Sequence, residues 1–452
     1  MSYSDRTRVF PRLLDLDYPE VDRGEGVRLY TTDGRELLDA SSGGAMVACL
    51  GHGATPVIDA AYEQGRRITY VYNHHFTNEP QERLADRLIA DVAPEMARVR
   101  FASGGSEANE GALRLVRQYH VDRGDEDRWR VISPSQAYHG ATMGTLALSG
   151  RAALHDVYGE YLSGAHLHVP PARGDDPDGA KALAALDRAI EAAGGETIAA
   201  FFCEPVSGAA LPAYTPPDEF WHGLTERAEK HGFLIVFDEV VTGMGRTGSW
   251  FAYQQLPIEP DIVTAGKGLG AGYIPLAAVF CTQRVYDAID SGSRLFDHGH
   301  TWDGAPLSMA VGLAVLDEIE RQGLIDRVQE RGPSLLGELR GALVDCAIAG
   351  EVRGRGFLLG VSLVDPRDGE SLLPHEFDTG SLVDDVAFDH GVLVTSTHST
   401  PDGFTGDEVL LAPAYTATDE ELGQMVERFA GALAAVEGTV RERLGSAAPV
   451  GG

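Results

Sequence analysis

Between about residues 91 and 282, short apolar runs rich in β-formers alternate with amphipathic helical stretches, the pattern of a mainly parallel sheet covered by helices. The runs at 99–102, 131–133, 198–203, 234–237, 262–264 and 276–281 predict strands. Between the first two, Ala108, Ala112, Leu115, Val116 and Tyr119 recur at three- and four-residue spacing and predict a helix over 107–121, with Ser106 placed as its cap. A Gly/Pro-rich stretch at 170–179 reads as a surface excursion, followed by a helix over 180–193. Beyond about residue 326 the pattern changes to amphipathic helices at 335–343 and 419–436 around short strands at 357–363 and 391–394. The expected fold class is therefore α/β, with a large domain on a mainly parallel sheet and a smaller α+β domain. The expected division is an N-terminal segment 1–60 joining the small domain, a large domain 61–325, and a C-terminal small domain 326–452.

Length supports two lobes, because 452 residues exceed what one ordinary core accommodates. With 43% apolar and 23% charged residues the chain has globular, not disordered, proportions. Its formal charge of −31 repels phosphate backbones and anionic membranes, which argues against nucleic acid or a lipid surface as partner. No apolar run is long enough to span a bilayer, and residues 1–14 lack a signal-like apolar region. Cys49, Cys203, Cys281 and Cys346 lie far apart, without a CxxC pair or a disulfide framework, so a reducing, cytoplasmic setting is expected and no metal site is.

Ligands of open parallel sheets collect at the carboxyl ends of strands, which directs attention to the polar residues just after each run. After 99–102 come Ser103, Gly104, Gly105 and Ser106, a glycine turn opening a helix whose free N–H groups and dipole suit a phosphate. A plain tight turn with a serine cap is the alternative. After 131–133, Tyr138, His139 and Gly140 offer an aromatic face beside a glycine, although a lone Tyr can equally be packing. The buried run 234–237 ends in Asp238, Glu239 and Val240; a carboxylate there could hold a ring nitrogen protonated, or simply cap a strand. After 262–264, Lys267 is the only charged residue in a stretch with Gly266, Gly268, Gly270 and Gly272. Small neighbours give a large cofactor access to this amine, and burial would favour its neutral, nucleophilic form.

Phosphate turn, aromatic plate, strand-end Asp and glycine-framed Lys, in this chain order, form a specific set. From about Tyr30 to Val436 the sequence resembles the class III aminotransferases of pyridoxal-phosphate fold type I, through residues 103–108, 138–140, Glu204 with Pro205, 238–240, 243–248, Lys267 and Thr301. The resemblance implies pyridoxal 5'-phosphate as cofactor, its phosphate held by Gly105 and Ser106, its ring between Tyr138 and Val240, Asp238 on the ring nitrogen and Lys267 as the covalently attached lysine. It places Glu204 on the substrate side, and Thr301 on the phosphate bound by a neighbouring subunit of a homodimer with shared active sites. Many members place an arginine before an Ala-Pro-Pro segment, where this chain has Leu410 before Leu411, Ala412, Pro413 and Ala414, so that clamp for a substrate carboxylate is missing.

The expected activity is ping-pong transfer of an amino group from an amine or amino acid to a keto acid, pyruvate or 2-oxoglutarate, with Lys267 moving the proton. Racemases or epimerases, aminomutases and decarboxylases are the alternatives on the same scaffold, since one electron sink serves any bond broken at the same carbon. A nicotinamide dehydrogenase lacks support, as Gly354, Arg355 and Gly356 are not in a GxGxxG context. A non-catalytic binding protein would not need both Lys267 and Asp238.

Overall fold

The computed structural model describes residues 7–446 except 15, 151, 175 and 401–404. Three short strands open the chain: β1 (Val21–Glu25), β2 (Arg28–Thr31) and β3 (Glu36–Asp39), paired antiparallel in series. The central sheet is built from β4 (Arg98–Ala102), β5 (Arg130–Pro134), β6 (His166–Val169), β7 (Ile198–Cys203), β8 (Leu234–Asp238), β9 (Ile262–Ala265) and β10 (Ala277–Cys281). Among the described residues it has seven strands in the order β4-β10-β9-β8-β7-β5-β6. Pairing is parallel from β9 to β6, while β10 runs antiparallel to both its neighbours.

Strands β7 to β10 are buried at every position, which explains why they read as continuous apolar runs and not as alternating ones. Successive side chains still go to opposite faces. Phe202, Leu234, Val236, Ile262 and Val279 pack with Ala112, Leu115, Val116 and Tyr119 of the helix Gly105–Asp122. Phe201, Ile235, Phe237, Val263 and Phe280 face the other way, against Leu186 and Ile190 of the helix Ala180–Ala193, Trp221 and Leu224 of the helix Asp218–His231, and Met309 and Leu316 of the helix Pro306–Arg321.

The C-terminal part contains β11 (Ala349–Arg355), β12 (Leu358–Leu363), β13 (Val392–Leu393), β14 (Thr395–Thr397) and β15 (Glu408–Leu411). An antiparallel sheet in the order β11-β12-β15-β14 is covered by the helices Leu324–Leu343, Thr379–Asp389 and Asp419–Ser446. β13 instead pairs in parallel with β3, through Val392 with Leu38 and Leu393 with Asp39. Val27, Leu38, Ala40, Cys49 and Leu50 share one buried cluster with Leu335, Leu339, Leu359, Val409, Phe429 and Leu433, so the chain's beginning packs with its end. Among the described residues no helix is long and apolar enough to cross a membrane.

All six strands expected in the central sheet are present within a residue or two. β6 was not anticipated, because its sequence His166, Leu167, His168, Val169 belongs to a partly exposed edge strand and carries little apolar signal. β11 has only intermediate or exposed positions and was missed for the same reason. The helix expected at 335–343 begins eleven residues earlier, at Leu324, and runs through Pro333. Ser106 is a further correction: the helix begins at Gly105, its cap residue is Gly104 with no side-chain cap bond, and Ser106 lies inside the first turn.

Gly360 in β12 passes so close to residues 206–214 that a β-carbon there would lie 2.1 Å from the Pro212 carbonyl oxygen. Backbone cannot yield as a flexible side chain can. Gly360→Ala should therefore cost about 1–3 kcal/mol by overpacking and lower the denaturant midpoint of the cofactor-loaded protein. An unchanged midpoint would show that β12 and this segment are not rigidly apposed.

Candidate active site

The carboxyl ends of β4, β5, β7, β8 and β9 carry the expected residues, and the structure brings most of them together. Asp238, the last residue of β8, is 5% exposed. Its Oδ2 accepts from Asn109 Nδ2 at 2.8 Å and from His139 Nδ1 at 2.9 Å, and its Oδ1 accepts from the Val240 backbone N–H at 3.0 Å. Asn109 Nδ2 also donates to the His139 carbonyl at 2.7 Å, while its Oδ1 accepts from the Thr264 hydroxyl at 2.7 Å. One buried network thus joins β8, β9, the helix Gly105–Asp122 and the 138–140 loop. Asn109 and His139 had been given no role from sequence. The available signal was Asn109's place on the helix stripe that includes Ala112 and Val116, where a polar residue needs partners.

The glycine turn meets this network through Val240. A β-carbon at Gly105 would lie 2.8 Å from Val240 Cγ1, and one at Gly266 would lie 3.2 Å from the same atom. Val240 therefore sits against both the start of the helix and the turn that carries Lys267. Ser106 Oγ accepts from the Ala141 N–H at 3.0 Å, and Gly140, at φ +139°, leaves room for it. Because no side chain caps the helix, its N-terminal N–H groups remain available for an anion.

Lys267 follows β9 with φ +42°, a left-handed conformation that costs a non-glycine residue about 1–3 kcal/mol. Burial pushes its amine down to about 8; the Asp238 and Glu204 carboxylates oppose that shift and the Arg246 guanidinium adds to it. Glu204, just past β7, accepts from the Gly208 N–H at 2.9 Å and from the Tyr138 N–H at 3.4 Å. Burial raises its carboxyl, His139 opposes this and Asp238 reinforces it.

Two expected residues fall outside this cluster. Thr301 is exposed on the 298–304 turn and makes none of the hydrogen bonds that join Asp238, Asn109, His139 and Thr264. Leu410, in β15, is fully buried with Met46, Val206, Ala213, Leu358 and Ala412, so it is a core residue without surface to offer a substrate. Arg246 is the only fully buried arginine among the described residues. It donates to the Phe357 and Pro413 carbonyls at 3.2 and 2.5 Å and to Ser42 Oγ at 3.2 Å, and lies over the Tyr415 ring.

The family model for aminotransferase class-III matches residues 16–433. The chain belongs to the class III aminotransferases. An aminotransferase of Schizosaccharomyces pombe is 34% identical over 418 residues, covering 90% of this chain and 91% of its own. The hypotaurine/taurine–pyruvate aminotransferase of Paracoccus denitrificans is 32% identical, covering 96% of both. Among solved structures, an amine transaminase from an uncultivated Pseudomonas species, in its PLP-bound form, superposes with a TM-score of 0.87 at 33% identity, covering 95% of this chain and 99% of its own. This class III aminotransferase has the type I fold and is a pyridoxal-phosphate-dependent transaminase acting on an amine donor and a keto acid.

The residues present fit that cofactor. A carboxylate fixed by three donors suits a protonated ring nitrogen, uncapped helix N–H groups suit a phosphate, and a depressed lysine amine suits attack on an aldehyde. In the cofactor-free enzyme the Lys267 amine is charged below about pH 8 and neutral above it. The rate of cofactor loading, followed by absorbance, should accordingly climb with pH up to about 8 and then level off. A rate still climbing steeply from pH 9 to 10 would mean an amine with the ordinary lysine pKa of about 10.4.

Proposed function

We propose that this class III aminotransferase works at the cluster around Asp238 and Lys267, and transfers an amino group from a primary amine to a small keto acid such as pyruvate. The observation that carries this assignment is the buried Asp238 carboxylate, held by three donors, with the depressed Lys267 amine in its field. Gly105 and Ser106 would hold the cofactor phosphate at the helix start, and Tyr138 and Val240 would hold the ring between them. The contact of Val240 with Gly105 and Gly266 supports this placement.

When bound, pyridoxal phosphate supplies an aldehyde that accepts and returns the amino group and a ring that withdraws electrons from the carbon losing its proton. Asp238 would face the ring nitrogen and hold its proton, and Asn109, His139 and the Val240 N–H orient its carboxylate. Lys267 Nζ would hold the cofactor covalently, and as a free amine it would be the base that moves the proton of the donor carbon. A free-amine pKa near 8 suits both tasks, since the group can hold and release a proton around neutral pH. Glu204, tied to the Tyr138 N–H, fixes the aromatic residue and borders the substrate side.

A homodimer is part of this reading. Tyr62, Tyr72, Phe76 and Trp302 are large apolar residues 41–64% exposed, and Trp302 adjoins Thr301, which would reach the partner's phosphate. The large domain spans 61–325, with 1–60 joining 326–452; the shared core of Val27 to Leu50 with the C-terminal helices supports that division.

Donor selection follows from arginine placement. Leu410 is packed in the core and offers no clamp, and the hydrogen bonds of the buried Arg246 go to main-chain oxygens and Ser42. A donor carboxylate buried in the site without a cationic partner would cost several kcal/mol. A simple arylalkyl amine should thus exceed ornithine and 4-aminobutyrate in kcat/KM. If either amino acid leads the panel, another group in the site recognises the carboxylate.

Lys267→Ala should abolish turnover while leaving the protein folded; retained turnover would sink the assignment. Asp238→Ala should lose orders of magnitude in the half-reaction with a good donor. A loss within about tenfold, or 1.4 kcal/mol of barrier, would show that Asp238 does not sustain the ring's electron withdrawal.

A further inference from the structure

Away from the active site, three segments of the C-terminal part converge on an open point. Asp378 precedes the helix Thr379–Asp389, His398 directly follows β14, and Asp407 directly precedes β15. One carboxylate oxygen from each aspartate and one ring nitrogen of His398 lie within 4.8 Å of one another. His398 Nδ1 is 3.1 Å from Asp378 Oδ1.

Asp407 sets this cluster apart from a surface ion pair. It is 1% exposed, and its Oδ1 accepts from the Ser399 N–H at 2.8 Å, but its Oδ2 has no hydrogen-bond partner among the described residues. The neighbouring Thr379 hydroxyl is likewise buried without a partner among the described residues. A carboxylate oxygen withdrawn from water without compensation is costly, and buried charges in folded proteins are paired or coordinate metals. Gly380 passes close beside the cluster: a β-carbon there would lie 2.8 Å from the Thr397 carbonyl oxygen, 3.3 Å from His398 Nδ1 and 3.4 Å from Asp407 Oδ1. Asp378 and His398 alone, with side chains 59% and 54% exposed, would gain little from their mutual contact.

We propose that Asp378, His398 and Asp407 bind one divalent cation of the zinc type. Two carboxylates with one imidazole form a borderline donor set that suits such an ion better than calcium or magnesium, which favour oxygen-only shells. Ligands at about 2.0–2.2 Å from a metal stand roughly 3–3.4 Å apart, close to the present separation of His398 Nδ1 and Asp378 Oδ1. Water would complete the shell on the exposed side. The ion would supply the missing partner of Asp407 Oδ2 and clip the helix start, the end of β14 and the start of β15 together. That is a stabilising role, independent of amino-group transfer.

The test uses cofactor-loaded enzyme, stripped with a chelator that is then removed, and titrated calorimetrically with zinc chloride beside His398→Ala and Asp407→Asn. The expected result is one zinc per chain and a thermal midpoint that rises with zinc concentration. Both variants should bind at least about tenfold more weakly, with cofactor absorbance and metal-free transamination unchanged. Should Asp407→Asn fail to fold, His398→Ala decides alone, since its ring is half exposed. No saturable binding, or equal binding by wild type and His398→Ala, overturns the site.

Discussion

A carboxylate placed at the end of a fully buried strand has to be compensated, and the way Asp238 is compensated organises the elements that meet at the end of β8. Its three donors come from a helix, a loop and its own strand end, so satisfying one charge places each of those elements. Asn109 spends its remaining capacity on the His139 carbonyl and the Thr264 hydroxyl, which adds β9 and hence the turn carrying Lys267. Losing one member would leave other buried polar groups unsatisfied, at about 1–3 kcal/mol each. The same arrangement thus holds Asp238 and the strand that leads to Lys267 in one buried network.

Lys267 depends on the opposite balance. Burial disfavours its charged form, the Asp238 and Glu204 carboxylates favour it, and the result is an amine near 8 that can exist in either state at working pH. Its left-handed backbone is held by surroundings that leave little freedom, including the contact of Gly266 with Val240 and of Gly268 with Met244. Arg246 is a buried cation whose hydrogen bonds go to main-chain oxygens and a hydroxyl. Its bonds to Ser42, Phe357 and Pro413 join segments distant in sequence.

The central sheet was legible because strands buried on both faces must be apolar throughout, and 198–203 and 234–237 have no other good explanation. β6 and β11 were not, because partly exposed strands may carry His, Arg and Glu and still pair through backbone. Within the site, Asp238 and Lys267 stood out as charges in apolar or glycine surroundings. Asn109 and His139 did not, since their importance lies in partners 30 to 155 residues away. Leu410 was noticed for what it lacks; only packing revealed it as core. Thr301 lies exposed outside this network, so its expected role rests on the resemblance alone.

Transamination, unlike racemisation, releases a carbonyl product and leaves the amino group on the enzyme. The most direct measurement mixes cofactor-loaded enzyme with excess chiral amine and no keto acid, following cofactor absorbance and carbonyl product together. The account predicts one carbonyl product per chain, loss of the lysine-bound cofactor's absorbance, and its recovery when pyruvate is added. Racemised amine recovered without stoichiometric carbonyl product, the absorbance unchanged, would contradict it.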